Sequence, residues 1–509
     1  MSRIYISAAH KSSGKTTISI GLCAALSKKG LKIQPFKKGP DYIDPLWLAR
    51  ASGLSGSIAE NLDAQGDIEG CYNLDFNTQS KQEILQTLFK HSHNADISLI
   101  EGNKGLYDGV ALDGSDSNAA VAKLTQSPVI LVIDSRGITR GVAPLLSGYR
   151  HFDPDVNIAG VIFNLTGGPR HEQKLRAITE EYTDIPVLGM VRKNSGMELD
   201  ERHLGLMPSN EDQHASQKIA DIAQMVGDSV DLDKLIEIAN SAPELTPVLS
   251  INKKEASSIA NVSQSKTRVR IGICEDAAFG FYYTDDKQAL IDAGAELVSI
   301  DTLHDHGLPD DLDGLFIGGG FPETHMQQLS DNESMRISIR DAIEADLPTY
   351  AECGGLMYLT RSLEWNDQKA DMVGVIPADT LMHKKPQGRG YVELEATSEM
   401  PWGKSSNESS EVSAAKINDS KYTPIINAHE FHYSRLVNIS GEGKFAYNVH
   451  RGVGITGDKD GWIYKNLLAN YSHLRNTEKF EWAKQFVGFV REKARFKEHS
   501  LKDNVNRSL

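Results

Sequence analysis

The chain has 509 residues, of which 40% are hydrophobic and 24% charged, a composition typical of a globular protein long enough for two or three domains. Its formal net charge of −15 argues against general nucleic-acid binding. Four widely spaced cysteines without a CxxC pair fit neither a disulfide framework nor a zinc site, and they indicate a reducing cytoplasm. No run of about 18 apolar residues predicts a membrane span, and no signal peptide is expected.

Short apolar runs alternate with helix-like segments through the first half of the chain. This order is typical of a doubly wound α/β domain with a parallel sheet, which we assign to residues 1–242. The predicted buried strands are Ile4–Ala8, Ile97–Ile100, Val129–Ile133, Ile158–Phe163 and Val187–Val191.

The segment Ala9–Thr17, with the sequence AHKSSGKTT, follows the first predicted strand and opens a helix. It resembles a phosphate-binding loop, in which backbone amides surround phosphates, a lysine neutralises charge and a hydroxyl reaches Mg²⁺. Lys15 and Thr16 fill the last two roles. Ala9 stands where the standard pattern begins with glycine, so an ordinary loop entering a helix is the alternative. The residues assigned to nucleotide binding are Ser13, Gly14, Lys15, Thr16 and Thr17.

Two acidic segments follow further predicted strands. Carboxylates at the carboxyl ends of parallel strands face the ligand crevice of an open α/β sheet, so Asp41 and Glu101 join Thr16 as candidate Mg²⁺ ligands. The neighbouring lysines are candidates for offsetting phosphate charge or binding an acidic substrate. Any one of these side chains could equally be solvated in a surface loop. The lysines are Lys37, Lys38 and Lys104.

A polar stretch rich in Ser, Asn and Lys predicts a linker over residues 243–267. A second α/β domain is assigned to residues 268–490. A polar surface loop is expected over residues 404–420, and a charged tail over residues 491–509. The predicted strands of the second domain include Val269–Cys274, Leu315–Ile317 and Thr349–Ala351.

Cys353 ends an apolar run and is followed by two glycines and an apparent helix, in the sequence TYAECGGLM. This order is typical of a nucleophile elbow, in which a tight strand-to-helix turn presents the side chain and the helix N-terminus favours a thiolate. Gly319 and Gly320, which follow another strand, and Gly354 are the candidate oxyanion-hole residues. The alternatives are a buried structural cysteine and a glycine turn without a chemical role.

Two histidine-bearing segments compete for the role of general base to Cys353. One contains His429 and His432, and the other ends in His473. A cysteine–histidine pair requires the imidazole within hydrogen-bond distance of the sulfur. The residues alone leave both segments open.

Taken in order, these motifs resemble the cobyrinic acid a,c-diamide synthase family from about residue 3 to residue 490. The resemblance implies an ATP-dependent amidoligase domain of the dethiobiotin-synthetase type, followed by a class I glutamine amidotransferase domain. The matching segments are Ser13–Thr17, Lys38–Pro45, Asn61–Asp63, Glu101–Gly109, Asp276–Tyr283, Gly318–Glu323, Ala351–Gly355 and His429–Ser434.

The resemblance also implies roles for individual residues. The family's C-terminal histidine segment matches Ala469–His473, which implies His473 as the base and leaves His429 and His432 as structural or interdomain candidates. The chain departs from the family at Asn103–Lys104, where apolar residues are usual. The family's essential positions map onto Tyr42, Glu101 and Asp108, with Tyr42 and Asp108 expected to be catalytic.

The implied activity is ATP- and glutamine-dependent amidation of peripheral carboxylates of an anionic tetrapyrrole, through an acyl phosphate and with Mg²⁺ as cofactor. Cobyrinic acid is the first substrate expected, and sirohaem of sulfur metabolism or a nickel tetrapyrrole are alternatives with the same mechanism. Two rivals of other classes are a ParA-like P-loop ATPase without amidase chemistry and a non-catalytic tetrapyrrole carrier. The expected location is the cytoplasm, without nucleic-acid or membrane partners, and a homodimer is one candidate assembly.

Overall fold

The computed structural model divides the described residues into two compact units. The first holds the described residues of 1–54 and 69–245, and the second holds residues 67–68, 268–402 and 424–507. The Asn61–Asp63 match, most of the predicted linker and the predicted 404–420 loop lie outside the described residues. Among the described helices, none has an apolar stretch of the length that a bilayer requires. The described residues are 1–54, 67–193, 201–202, 205–212, 214–245, 268–402 and 424–507.

In the described part of the first unit, helices alternate with the strands of a seven-stranded sheet. The seven strands are β1 (Arg3–Ala8), β2 (Ile33–Lys38), β3 (Tyr72–Leu74), β4 (Ile97–Glu101), β5 (Val129–Asp134), β6 (Ile158–Thr166) and β7 (Val187–Arg192). The strand order is β3-β2-β4-β1-β5-β6-β7, and all pairs are parallel. The short segments β8 (Glu201–Arg202) and β9 (Gly205–Leu206) form a separate pair.

The helices of this unit follow the strands in the order expected of a doubly wound fold. They are α1 (Lys15–Lys28), α2 (Ile43–Ala51), α3 (Lys81–Ser92), α4 (Asn118–Leu124), α5 (Val142–Phe152), α6 (Pro169–Tyr182), α7 (Ala215–Ser229) and α8 (Leu232–Asn240). All six residues of β1 are buried, because a central parallel strand is covered on both faces. That double burial produces the continuous apolar runs from which the strands were predicted, and the doubly wound class is confirmed.

The second unit contains a nine-stranded sheet in its described residues. The strand order is β12-β10-β13-β15-β24-β23-β22-β19-β20, parallel as far as β24 and antiparallel beyond it. The strands of this sheet are β10 (Val269–Cys274), β12 (Ala295–Ile300), β13 (Gly314–Ile317), β15 (Thr349–Glu352), β19 (Gly388–Ala396), β20 (Ile425–His432), β22 (Lys444–Arg451), β23 (Lys459–Tyr464) and β24 (Leu467–Asn470).

Smaller elements complete this unit. A two-stranded pair is formed by β11 (Phe279–Phe281) and β14 (Gly319–Gly320), and a four-stranded sheet by β16 (Thr360–Trp365), β17 (Gln368–Asp371), β18 (Ile376–Met382) and β21 (Ser434–Val437). The helices are α9 (Thr284–Asp292), α10 (Met326–Asp331), α11 (Glu333–Glu344), α12 (Gly354–Leu359) and α13 (Trp482–Arg507).

Candidate active sites

The loop between β1 and α1 has the backbone of an anion-binding turn. Ser12 and Gly14 both adopt left-handed conformations, with φ of 64° and 78°. A Cβ on Gly14 would lie 2.1 Å from Nδ2 of Asn164, so this position requires glycine for two reasons. Asn164, near the carboxyl end of β6, donates from Nδ2 to the carbonyl of Ser13 at 3.0 Å. The loop is thus held in shape at the N-terminus of α1, where helix amides favour phosphate.

Glu101 is the centre of a charged cluster beside this loop. It ends β4 and is fully buried, and its Oε1 accepts hydrogen bonds from Lys15 Nζ at 2.5 Å and Thr16 Oγ1 at 2.8 Å. Lys37 Nζ lies 3.1 Å from the same oxygen, because Lys37 on β2 stands in register with Glu101. The structure therefore brings the predicted residues Lys15, Thr16 and Glu101 together with Lys37.

Asp44 is a member of this cluster that the sequence reasoning missed. Its Oδ2 accepts from Thr16 Oγ1 at 3.2 Å and forms an ion pair with Lys37. Burial alone would raise the pKa of Asp44, but Lys37 and Lys15 hold it below its ordinary value. The Asp44 carboxylate is therefore ionised at neutral pH, and it faces the loop hydroxyl.

The predicted metal ligand Asp41 is placed differently. Its Oδ1 accepts from the backbone amides of Ile43 and Asp44, both at 3.0 Å. These bonds shape the turn that begins α2. Its other oxygen, Oδ2, lies 3.8 Å from Lys37 Nζ. Asp44 therefore contacts the loop hydroxyl of Thr16, whereas the contacts of Asp41 are with the turn before α2 and with Lys37.

The remaining predicted residues of this unit lie around the cluster. Tyr42 precedes α2 and is buried. Asp108 accepts from the amide of Gly105 at 3.0 Å, within the loop that follows Glu101. Lys38 is buried and donates to the carbonyl of Asp116 at 2.6 Å. Asp108 and Lys38 thus have contacts that shape loops around the site.

In the second unit, Cys353 occupies a sharp turn between β15 and α12. Its φ of 47° and ψ of −98° lie outside the ordinary regions for a residue with a side chain, a strain that is characteristic of functional positions. Its amide donates to the carbonyl of Asn470 at 2.8 Å. A Cβ on Gly355 would lie 2.3 Å from the carbonyl oxygen of Ile317, so the second glycine allows the tight strand-to-helix approach.

The surroundings of the Cys353 thiol act on its pKa in both directions. Burial raises its pKa, and the nearby carboxylates of Glu323 and Glu352 raise it further. The amide of Gly354 acts in the opposite direction, but α12 is only six residues long. Burial and these carboxylates thus act against the thiolate that the helix N-terminus was expected to favour.

His473 lies beside the same strand ends and is buried. It follows β24, which pairs in parallel with β15 so that Glu352 stands opposite Asn470. Its Nδ1 lies 3.2 Å from Oε2 of Glu352, the residue that precedes the nucleophile. The parallel pairing thus carries the histidine to the turn of Cys353.

The competing histidines are close neighbours of this site. The rings of His429 and His473 stack with centroids 4.9 Å apart and planes 17° apart. Burial lowers the pKa of His429 well below its ordinary value, and His473 and Arg475 lower it further. His432 instead stacks on Tyr471 at 3.9 Å. His429 is therefore a neutral companion of His473.

The three glycines predicted for the oxyanion hole meet at this point. A Cβ on Gly354 would lie 2.9 Å from the amide nitrogen of Gly320, and one on Gly319 would lie 2.6 Å from Cε1 of His473. Gly319 and Gly320 form β14, which pairs with β11. The geometry can support nucleophilic attack on a carbonyl, with backbone amides close to the developing charge.

Comparison with known proteins agrees with these two sites. Residues 5–206 match the model of the CobQ/CobB/MinD/ParA nucleotide binding domain, and residues 270–479 match the CobB/CobQ-like glutamine amidotransferase domain. The fold and the two matched domains define the class of the protein: it is a glutamine amidotransferase enzyme with a nucleotide-binding domain.

Similar proteins extend over nearly the whole chain. The cobyrinate a,c-diamide synthase of Magnetococcus marinus is 41% identical over 97% of this chain and 98% of its own length. Those of Methanosarcina acetivorans and Archaeoglobus fulgidus are 39% and 36% identical, each over 95% of this chain and over 94% and 96% of their own lengths. The chain belongs to the cobyrinate a,c-diamide synthase family.

Proposed function

We propose that this protein amidates the a and c carboxylates of cobyrinic acid, with glutamine as nitrogen donor and ATP as energy source. The observation that carries the proposal is that a single chain of this family holds both sites with their chemical groups assembled. One is the Lys15–Thr16–Glu101 cluster, and the other is the group formed by Cys353, Glu352 and His473. The similar proteins support cobyrinic acid over sirohaem, since those compared above are all cobyrinate a,c-diamide synthases.

The proposed glutamine reaction begins with the protonated Cys353 thiol. His473 accepts its proton while the sulfur attacks the carboxamide carbon of glutamine, and backbone amides at Gly320 and Gly354 stabilise the oxyanion. The carbon–nitrogen bond then breaks, and His473 returns the proton to the leaving nitrogen. Ammonia and a thioester result. Water hydrolyses the thioester to glutamate and restores the thiol.

The proposed ATP reaction activates the tetrapyrrole carboxylate. A carboxylate oxygen attacks the γ-phosphorus of ATP, which gives an acyl phosphate and ADP, while Lys15 and Lys37 offset the negative charge. Ammonia then attacks the acyl carbon, and phosphate leaves as the primary amide forms. ATP is consumed because phosphate is a good leaving group, whereas a carboxylate oxygen is a poor one.

The residues around Glu101 fit Mg²⁺. Oε2 of Glu101 is buried and has no hydrogen-bond partner among the described residues, and Thr16 and Asp44 contribute oxygens beside it. The described residues contain no cluster of three or more His, Cys, Asp or Glu side chains that could hold a metal, in keeping with Mg²⁺, which usually retains water and phosphate ligands. We assign its binding to Thr16, Asp44 and Glu101. When bound, the ion neutralises charge on the transferring phosphoryl group.

Mass spectrometry of the pigment tests the substrate. The purified protein is incubated with glutamine and MgATP and, separately, with cobyrinic acid or sirohaem. Each conversion of a carboxylic acid to a primary amide lowers the mass by about one unit and removes one ionisable charge. Two steps on cobyrinic acid are expected. Conversion of sirohaem alone would indicate that the enzyme acts in sulfur metabolism. ATP hydrolysis without formation of any amide would favour the ParA-like ATPase.

Replacement of the nucleophile tests whether glutamine hydrolysis and amidation take place at two separate sites. Cys353→Ala removes the sulfur that forms the thioester, so glutamine-dependent amidation should fall to background while amidation with ammonium salts continues. The measurement is amide formation with each nitrogen source at matched protein concentration. Loss of both activities in a folded variant would contradict two separable sites.

Location and assembly are part of the same proposal. ATP and glutamine are cytoplasmic metabolites, so the reaction is placed in the cytoplasm. The homodimer stays a prediction, which sedimentation of the purified protein tests.

A further inference from the structure

Glu352 adjoins the nucleophile in the chain and contacts the histidine that is proposed as its base. It is the last residue of β15 and directly precedes Cys353, yet its side chain is turned into the protein and only 3% of the residue is exposed. A buried carboxylate is costly unless hydrogen bonds compensate it. Its partners therefore indicate what it stabilises.

Those partners hold His473 at two points. Oε2 of Glu352 is 3.2 Å from Nδ1 of His473, and Oε1 accepts from the backbone amide of Leu474 at 2.9 Å. Oε1 also accepts a short hydrogen bond from the hydroxyl of Tyr350. One carboxylate thus binds both the imidazole and the peptide group that follows it.

The other faces of the imidazole are fixed as well. The His473 amide donates to the carbonyl of His429 at 2.8 Å, and the two rings stack. Gly319 lies against Cε1, where a Cβ would be only 2.6 Å away. The ring is therefore held by a backbone bond, a stacked ring and a glycine backbone, with Glu352 facing its Nδ1.

We infer that Glu352 is a positioning residue for the glutamine reaction: its carboxylate accepts a hydrogen bond from Nδ1–H of His473 and so leaves the Nε2 lone pair to accept the proton of the Cys353 thiol. This inference rests on the proposed function, in which His473 is the base. When the thiol proton moves to Nε2, the ring becomes an imidazolium, and the adjacent carboxylate stabilises that charge. The step is a proton transfer, in which no group is oxidised or reduced.

Other charged or titratable groups act electrostatically on Cys353 and on the histidines beside it. Any interpretation of the pH dependence of the cysteine–histidine pair has to include them. Glu323 and Asp460 act on Cys353, and Arg475 acts on His429. Tyr350 contacts Glu352. These groups remain unchanged in the variants below, so a change in pH profile reports on Glu352.

The test compares Glu352→Gln with Glu352→Asp. Glutamine keeps the size but loses the charge, and its carboxamide can present a donor to Nδ1 and so select the wrong tautomer. By analogy with the carboxylate of a serine–histidine–aspartate triad, we expect kcat for glutamine hydrolysis to fall at least about 100-fold. KM for glutamine should change by less than about threefold, and ammonia-dependent amidation should continue. In Glu352→Asp, kcat for glutamine hydrolysis should be at least about tenfold higher than in Glu352→Gln.

Alkylation of Cys353 by iodoacetamide provides a readout that a structural role would not change. In the unmodified protein, the rate should follow the ionisation of the cysteine–histidine pair. In Glu352→Gln it should lose that dependence and rise only in the alkaline range of the isolated thiol. Glu430→Gln is the matched control, because Glu430 is equally buried and accepts from the amides of Val453 and Gly454 at 2.7 and 3.0 Å. Its pH profile should be that of the unmodified protein.

The outcomes separate the inference from the proposed function. An unchanged kcat and alkylation profile in Glu352→Gln would overturn the positioning role. If that variant also loses ammonia-dependent amidation, Glu352→Asp is the deciding variant. Glutamine hydrolysis that stays as low as in Glu352→Gln, while ammonia-dependent amidation continues, would overturn the inference. Glutamine hydrolysis that survives in Cys353→Ala would instead overturn the proposed glutamine reaction.

Discussion

The two sites in this chain are built by different physical means. In the first unit, Lys15 and Lys37 are paired with Asp44 and Glu101, so two positive and two negative side chains neutralise one another. In the second, the central features are a strained turn at Cys353 and close backbone approaches between glycines. The first site depends chiefly on charge, and the second chiefly on shape.

This difference predicts different sensitivities. Coulomb energy varies slowly with distance, so a charged cluster can adapt by fractions of an ångström to phosphates and a cation. Close packing changes steeply over the same distance. We therefore expect the first site to be damaged by substitutions that remove charge without changing shape, and the second by substitutions that add a single carbon without changing charge.

Glu101→Gln is the sharpest test of the charged site and should have the largest effect. The substitution is nearly isosteric but removes the carboxylate that binds Lys15 and Thr16. We expect ammonia-dependent amidation to fall about 1000-fold, since groups that hold a transferring phosphoryl group contribute effects of this size. Glutamine hydrolysis in the absence of tetrapyrrole should continue. The measurement is the rate of each reaction at saturating substrates.

Glu83→Gln is the matched control for that experiment. Glu83 is also a buried glutamate of the first unit, where it accepts from the amide of Ser80 at the start of α3. Its replacement should leave the rate of amidation within about threefold of the original, because its contacts serve the helix terminus. An equal loss in both variants would show that burial alone, rather than position in the cluster, determines the effect.

Gly319→Ala is the corresponding test of the second site, around Cys353, which depends chiefly on shape. The added Cβ would lie 2.6 Å from Cε1 of His473 and must displace the ring. A shift of about 1 Å in a catalytic group can cost about 100-fold, so glutamine hydrolysis should fall by that factor while ammonia-dependent amidation continues. Gly488→Ala in α13, where a Cβ meets no atom within 4 Å, should retain both activities. Full glutamine hydrolysis in Gly319→Ala would contradict the shape argument.

The sequence was most informative where structure follows from continuous local patterns. Parallel strands such as β1 and β5 are buried on both faces and therefore appear as apolar runs. The three-residue β3 was too short to detect, and the antiparallel strands β19 and β22, with burial that is only partial, were not predicted. Local apolar runs thus predicted parallel strands that are buried on both faces better than short or antiparallel strands.

The candidate sites show the same limit at the level of side chains. Asp44 and Glu352 lie in motifs that were recognised, three residues after Asp41 and one before Cys353. Their roles depend on the direction of the side chain, which only the packed turn determines. The two histidine segments were alternatives for the general base, although His429 and His473 form an antiparallel bridge in the fold. Proximity between distant segments was beyond what residue spacing could indicate.

The smallest predicted effect distinguishes two neighbouring carboxylates of the charged site. Asp44→Asn removes the charge beside Thr16 and Lys37, and it should weaken ammonia-dependent amidation between about 10- and 100-fold, chiefly through poorer use of MgATP. Asp41→Asn should change it by less than about threefold, because the side-chain carbonyl of asparagine can still accept from the amides of Ile43 and Asp44. Both variants are assayed for amidation across a Mg²⁺ titration. A larger loss in Asp41→Asn would return the metal-binding role to Asp41, and equal losses would show that the two carboxylates act through Lys37, which forms ion pairs with both.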